Sequence, residues 1–108
     1  MIMPLRFRLS DFGSTFSTRP RGIELRDALI QQAGQEATVE VDFEDVLSVS
    51  YSFADEFAAG LVQKSAGGSV PFVVHLTGAS SEVERVIGRA VSNRQLSTLT
   101  SDAAAALS

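Results

Sequence analysis

The 108-residue sequence contains no cysteine, one histidine (His75) and one lysine (Lys64). The lack of cysteine excludes a disulfide scaffold, a thiolate nucleophile and a cysteine-based zinc site. A single histidine cannot form a His-x-x-x-His ligand pair, and we interpret His75 as a structural residue at the end of a strand. The sequence therefore predicts no metal site, no cofactor and no catalytic residue, and we expect a protein that is not an enzyme.

The sequence also lacks an excess of basic residues and any long apolar run. Its 13 acidic residues outnumber its 9 basic ones, which gives a formal net charge of −4. Binding to nucleic acid or to an anionic membrane surface requires clustered basic residues, so neither is expected. No secretory signal is visible, and the apolar runs fall far short of the ~20 residues of a membrane-spanning helix. These features predict a cytoplasmic location.

The length and the composition predict one globular domain. Apolar residues make up 44% of the chain, which is close to the value for ordinary globular proteins. We expect a single domain over residues 1–100. The Ala-rich residues 101–108 are predicted to form a flexible C-terminal tail.

Apolar periodicity predicts alternating strands and helices. Alternation of apolar and polar residues predicts strands at 5–9 and 39–43, and a run of consecutive apolar residues predicts a third at 71–76. Helical spacing predicts helices at 20–33, from the N-cap Ser52 to Gly67, and at 81–93 after a capping box that begins at Ser81. A last short strand is expected at 96–99. The βαβαβα order is typical of an α/β fold with a mostly parallel sheet, and we expect the helices largely on one face.

Acidic residues gather near the end of the second strand and the start of the second helix. Asp42, Glu44 and Asp45 follow the strand, where α/β folds commonly place their sites. Carboxylates could hold Mg²⁺, so one hypothesis is a metal-dependent phospho-receiver or small enzyme that uses Asp42, Asp45 and Asp55. In the other interpretation, Asp55 and Glu56 complement the dipole at the start of a helix.

Three consecutive hydroxyl residues, Ser50, Tyr51 and Ser52, precede that helix. A helix N-terminus stabilises added negative charge, and a phosphate would bring about −1.5 to −2 charges. Together with Asp55 and Glu56, these residues are our candidates for a partner-binding surface or phospho-switch. A purely structural role, in which Ser52 caps the helix, is the competing interpretation.

Residues 39–46 followed by residues 50–57 resemble the STAS-like domains of unknown function. The pairs Phe12-Gly13 and Thr18-Arg19, and the helix at 83–94, fit the same pattern. More distantly, the segment is similar to the bacterial anti-sigma-factor antagonists of the STAS superfamily, in which a serine at a helix start is phosphorylated. The position of that serine falls on Tyr51 here, while Ser50 stands for the usual Asp and Phe53 for the usual Gly.

The resemblance implies a STAS-like fold and a non-catalytic regulatory module that interacts with other proteins. It suggests a histidine-kinase-type ATPase domain, or an anti-sigma-like protein, as the protein partner. Besides the phospho-receiver or enzyme, a third hypothesis is a subunit of a larger assembly without a switch. The sequence leaves the oligomeric state open.

Overall fold

Parallel strands and three long helical regions make up the computed structural model, which describes the backbone of residues 5–107 and the side chains of residues 5–95. In chain order the elements are β1 (Leu5–Arg8), a 3₁₀ turn (Leu9–Phe12), β2 (Thr15–Phe16), α1 (Arg19–Ala33), β3 (Thr38–Asp42), β4 (Ser48–Val49), α2 (Tyr51–Ala54), a π-helical segment (Asp55–Ala59), α3 (Gly60–Ala66), β5 (Val73–Thr77) and α4 (Ser81–Leu107). The predicted α/β fold with a parallel sheet is confirmed.

The main sheet has the strand order β1-β3-β5, and all of its pairs are parallel. Apolar side chains of alternate residues, such as Phe7 and Val41, are buried in the core that the helices share. The intervening residues point to the other face, because side chains alternate along a strand. There Arg6, Glu40 and His75 lie side by side in register across the three strands. This alternation places the helices on one face of the sheet.

The helix over residues 51–66, which we call the central helix, runs through α2, the π-helical segment and α3. The N–H of Gly60 donates to the carbonyl of Asp55, five residues back, which defines the π-helical turn. Phe53, Phe57 and Leu61 are fully buried along one side of it. The rings of Phe53 and Phe57 stack with their centroids 5.3 Å apart. The predicted apolar stripe of the second helix is therefore confirmed.

A glycine lets α1 approach the central helix closely. A Cβ added at Gly22 would lie 3.0 Å from the carbonyl oxygen of Phe53 and 3.1 Å from the Cβ of Glu56. Any larger residue would push the two helices apart. The close approach brings Arg19 and Arg26 of α1 within reach of the carboxylates on the central helix.

Two helices begin at different serines from those predicted. Ser50, and not Ser52, caps the central helix: its Oγ accepts from the N–H of Phe53 at 3.0 Å. Likewise Ser80, and not Ser81, accepts from the N–H of Val83 at 3.3 Å. The N-cap needs an extended backbone, and Ser50 has it, with φ −79° and ψ 161°, whereas Ser52 already lies within the helix. The predicted Ser52 and Ser81 caps are wrong by one or two residues.

The ends of the chain differ from the prediction in one respect. The strand expected at 96–99 is wrong, because α4 continues as a helix to Leu107. No glycine or proline interrupts the chain between Asn93 and Leu107, so nothing there stops a helix. The division at residue 100 stays a prediction, and residues 1–4 and Ser108 lie outside the described residues. Within the described part, no helix is both long and apolar enough to cross a membrane.

Candidate functional site

A small parallel pair of strands, β2 and β4, positions the segment that leads into the central helix. The N–H of Leu47 donates to the carbonyl of Ser14 at 2.8 Å, and the N–H of Ser50 donates to that of Phe16 at 2.8 Å. The sequence predicted only a turn and a loop here, because two-residue strands leave no detectable alternation. The pairing fixes the approach of residues 47–50 and hence the start of the helix.

The hydroxyl of Ser50 makes two hydrogen bonds, one as an acceptor and one as a donor. Its Oγ accepts from the N–H of Phe53 and donates to the carbonyl of Ser17 at 2.9 Å. Ser50 is also half-buried. Of the three predicted hydroxyl candidates, it is the one whose modification would break the most structure.

Tyr51 and Ser52 lie in the first turn of the central helix, and their hydroxyls make fewer hydrogen bonds than that of Ser50. Tyr51 is exposed, and its phenolic oxygen accepts from the side-chain amide of Asn93 at 2.8 Å, which links the helix start to α4. Ser52 is half-buried, and its hydroxyl makes no hydrogen bond to any residue that the structure describes. The hydroxyl run is therefore split into one structural serine and two residues available to other chemistry.

Large apolar side chains are exposed around this segment. Leu47 is 69% exposed, Phe12 42% and Tyr51 38%. The chain segments carrying Phe12 and Leu47 are joined by the hydrogen bond from Leu47 to Ser14, and Tyr51 follows four residues after Leu47. We call these three side chains the apolar loop patch. The residues flanking it in the chain include three exposed acids, namely Asp11, Glu44 and Asp45.

The other two predicted site residues, Asp55 and Glu56, lie in the π-helical segment and are held by three arginines. Nη1 of Arg19 donates to both carboxylates at 2.8 Å. Nε of Arg94 donates to Asp55 at 2.8 Å. Nη1 of Arg26 donates to the side chain of Glu56 at 3.1 Å and to its carbonyl at 3.0 Å. We call these five residues the arginine–carboxylate cluster.

The cluster holds its acids ionised. The hydrogen bond from Arg94 lowers the pKa of Asp55 despite the opposing effect of burial. The hydrogen bond from Arg19 lowers the pKa of Glu56 in the same way. The two carboxylates in turn raise the pKa of Arg19, with the hydrogen bond to Asp55 as the largest cause. A carboxyl group with a lowered pKa is a poor proton donor near neutral pH. The geometry therefore suits holding the helices together and not acid–base catalysis.

The cluster ties α1 and α4 to the central helix, and sequence reasoning missed its arginines. Arg19 and Arg26 are seven residues apart, which places them two turns apart on one side of α1. From that spacing, the sequence could have predicted that both arginines lie on the same side of α1. Arg94 lies 39 residues from Asp55 in sequence, and nothing local could have paired them.

The acids of the phospho-receiver hypothesis are dispersed. Asp42 is 2% exposed, and its Oδ1 accepts from the N–H of Glu44 at 2.9 Å while its Oδ2 pairs with Arg6 at 2.8 Å. Asp45 is exposed at a turn with φ 68°, and Asp55 belongs to the cluster. Among the described residues, no three Asp, Glu, His or Cys side chains are grouped so as to hold a metal. The arrangement gives that hypothesis no support.

Comparison with known proteins identifies a family. A sequence model of the family described as a STAS-like domain of unknown function (DUF4325) matches residues 21–84, which is more than half of the chain. Neither the curated proteins nor the solved structures contain a match. The matched range covers α1 from residue 21 onward, the hydroxyl run, Asp55 and Glu56, and the predicted resemblance to this family is confirmed.

Proposed function

Because the chain belongs to the family of STAS-like domains of unknown function, we propose that it is a non-catalytic regulatory module that binds a partner protein. The proposed binding surface is the apolar loop patch together with Ser52 in the first turn of the central helix. This choice keeps Tyr51 and Ser52 of the predicted site. In this proposal Ser50, Asp55 and Glu56 stabilise the fold and do not contact the partner.

The exposure of Leu47 is the observation that carries the proposal. At 69% exposed, this leucine contributes little to the core, yet its backbone is held in place by the hydrogen bond to Ser14. Exposed apolar side chains that occur singly are ordinary, but grouped ones often mark interaction sites. Leu47, Phe12 and Tyr51 are carried by neighbouring segments of the chain, and aromatic side chains are enriched at protein interfaces.

The surroundings of the patch favour a partner with basic residues around an apolar socket. Asp11, Glu44 and Asp45 flank the patch in the chain and are exposed, and complementary charge at the rim of an interface accelerates association. On the STAS-like resemblance, a histidine-kinase-type ATPase domain is the first partner class to test. An anti-sigma-like protein is the second.

Phosphorylation is proposed at Ser52 or Tyr51 in preference to Ser50. The Ser50 hydroxyl already donates to Ser17 and accepts from Phe53, so a phosphate there would remove the hydrogen bond to Ser17. A phosphate on Ser52 would lie in the first turn of the helix, where the dipole favours negative charge. Such a charge beside the apolar loop patch would weaken an apolar contact and so release the partner.

Binding to a purified candidate partner tests the surface. Leu47→Asp should weaken binding at least tenfold, or about 1.4 kcal/mol, because it places a charge in the apolar contact. Val73→Asp is the matched control, because Val73 is also exposed (56%) but lies in β5. Isothermal titration calorimetry gives both affinities, and circular dichroism checks that both variants fold. Equal affinities for the two variants would place the interface elsewhere.

The switch is tested separately with added charge. Ser52→Asp leaves the Ser50 cap intact and should weaken binding tenfold or more. Ser69→Asp adds the same charge beyond the other end of the central helix, where Ser69 is exposed, and should leave the affinity unchanged. If Ser52→Asp folds normally and binds as tightly as the wild type, charge at this turn does not regulate binding.

A further inference from the structure

Two cavities adjoin along the central helix, between residues 56 and 67. One is a polar pocket of about 310 Å³, and the other is an apolar cavity of about 630 Å³. Both volumes fall within the range of small-molecule sites, roughly 300–1,000 Å³. Gln63 and Arg94 line both, and Nη1 of Arg94 donates to Oε1 of Gln63 at 2.7 Å. This pair therefore lies where the two cavities join.

The polar pocket is lined by more positive than negative charge. Arg26, Lys64 and Arg94 line it together with one carboxylate, that of Glu56. Lys64 makes no ion pair with any residue that the structure describes. In a chain with a net charge of −4, a pocket with this balance is suited to an anion.

The wider charge count gives the size of the excess. The arginine–carboxylate cluster with Lys64 holds four cations. They face three carboxylates, namely Asp55, Glu56 and the more distant Asp27, whose Oδ1 is 3.8 Å from Nε of Arg26. Among these seven described side chains there is one more positive than negative charge, a balance that favours an anionic ligand.

Arg26 has a buried donor that its neighbours do not satisfy. Its Nε is buried and has no hydrogen-bond partner among the described residues, and a buried donor without a partner is unfavourable. The arginine passes close over the central helix, because a Cβ at Gly60 would lie 2.9 Å from its Nη1. A glycine at this position thus admits the guanidinium to the pocket.

The adjoining cavity is apolar. Its described lining includes Ala59, Val62 and Ala66 of the central helix and Val91 of α4. Small and branched aliphatic side chains offer surface that an alkyl or aromatic group would remove from water. The charged head and the apolar body of a single ligand could therefore occupy adjacent spaces.

We propose that these two cavities form one binding site for a small amphipathic carboxylate, with its carboxylate beside Arg26 and Lys64 and its apolar body between α3 and α4. The site is independent of the proposed partner surface, because it shares no residue with the apolar loop patch. A ligand here would contact Arg94, which also holds Asp55 one turn after Tyr51.

Calorimetric titration of the whole chain with hexanoate, octanoate and decanoate, below their micelle concentrations, tests the site. The dissociation constant should fall roughly fourfold for each added methylene that is buried. Decanol, which has the tail without the charge, and inorganic phosphate, which has charge without a tail, should each bind at least tenfold more weakly than decanoate. Equal binding of decanol would show an apolar groove only, and equal binding of phosphate an anion pocket only; either result overturns the proposal, as does an absence of decanoate binding.

Two variants test the carboxylate and the alkyl chain of the ligand separately. Lys64→Gln should weaken decanoate about tenfold and leave decanol unchanged, whereas Lys64→Arg should restore decanoate binding. Ala66→Leu should fill the apolar cavity and weaken decanoate more than hexanoate. Its matched control is Ala28→Leu, because Ala28 is an exposed alanine on α1 outside both cavities. If Ala66→Leu and Ala28→Leu bind decanoate equally, the tail does not lie in this cavity and the assignment fails.

Discussion

Removal of the charge of Asp55 measures how firmly the arginine–carboxylate cluster holds the fold. Asp55→Asn keeps the shape of the side chain but removes the ion pairs to Arg94 and Arg19. A hydrogen bond to a charged group contributes about 1.5–3 kcal/mol when shielded from water. The Asp55 and Arg94 side chains are 17% and 25% exposed, so solvent screening reduces that value. We expect a loss of about 1–2 kcal/mol of unfolding free energy.

The matched control for this variant is Asp27→Asn. It removes a carboxylate that is 68% exposed and lies 3.8 Å from Nε of Arg26. An exposed pair at this distance should contribute less than about 0.5 kcal/mol. Urea unfolding at pH 7 followed by circular dichroism gives both values. If Asp55→Asn loses no more than Asp27→Asn, the cluster does not stabilise the fold and our reasoning is wrong.

The same variant has a characteristic pH dependence. The pKa of Asp55 is lowered in the folded protein, so its stabilisation is complete above the ordinary aspartate value of about 3.9. It is lost as the pH falls through the lower folded value. The difference between the wild type and Asp55→Asn should therefore be constant from pH 7 to 5 and shrink only in stronger acid. A difference that already vanishes by pH 5 would contradict the lowered pKa.

Four further outcomes are expected in unfolding experiments. Phe57→Ala should destabilise the protein by about 3–5 kcal/mol in urea, because this ring is fully buried; a loss below about 1 kcal/mol would refute its core position. Ser50→Ala should lose about 1 kcal/mol in the same assay and Ser52→Ala less than half of that, because only Ser50 caps the helix. Gly78→Ala should destabilise by at least about 1 kcal/mol, since its φ is +73° and a Cβ would lie 2.7 Å from a buried carboxylate oxygen, whereas Gly88→Ala, with open space on α4, should stabilise by about 0.5–1 kcal/mol. Millimolar Mg²⁺ should leave the thermal midpoint unchanged, and a saturable rise would revive the phospho-receiver hypothesis.

The parts of the fold with strong periodicity could be predicted from the sequence. Val39 and Val41 are fully buried on one face of β3, and Leu25 and Leu29 are buried on one side of α1, as alternation and helical spacing predicted. The serine caps were harder to predict, because Ser50 and Ser52 are both good caps. The choice between them depends on the hydrogen bond from Ser50 to Phe16, which is 34 residues away in the chain.

The candidate site was predictable only in part, for a physical reason. Tyr51 and Ser52 could be chosen as candidates because a run of hydroxyls before an apolar stripe is visible in the chain itself. The role of Asp55 and Glu56 was not visible, since their partners come from α1 and α4. The exposure of Leu47 was also hidden, because an apolar residue in a loop is as consistent with burial as with a surface patch.

The π-helical turn sets how far α3 is rotated about the helix axis relative to α2. It inserts in effect one extra residue into an α-helical rod, and each residue of such a rod turns the chain by about 100°. Deletion of one residue from this turn would rotate α3 by roughly that angle relative to α2, if both halves stayed α-helical. Tyr51 and Ser52 would keep their direction, while Val62 and Lys64 would turn away from α4 and from the polar pocket. The turn thus sets the angle between the proposed partner-binding end and the cavity end, and a single insertion or deletion there would change that angle.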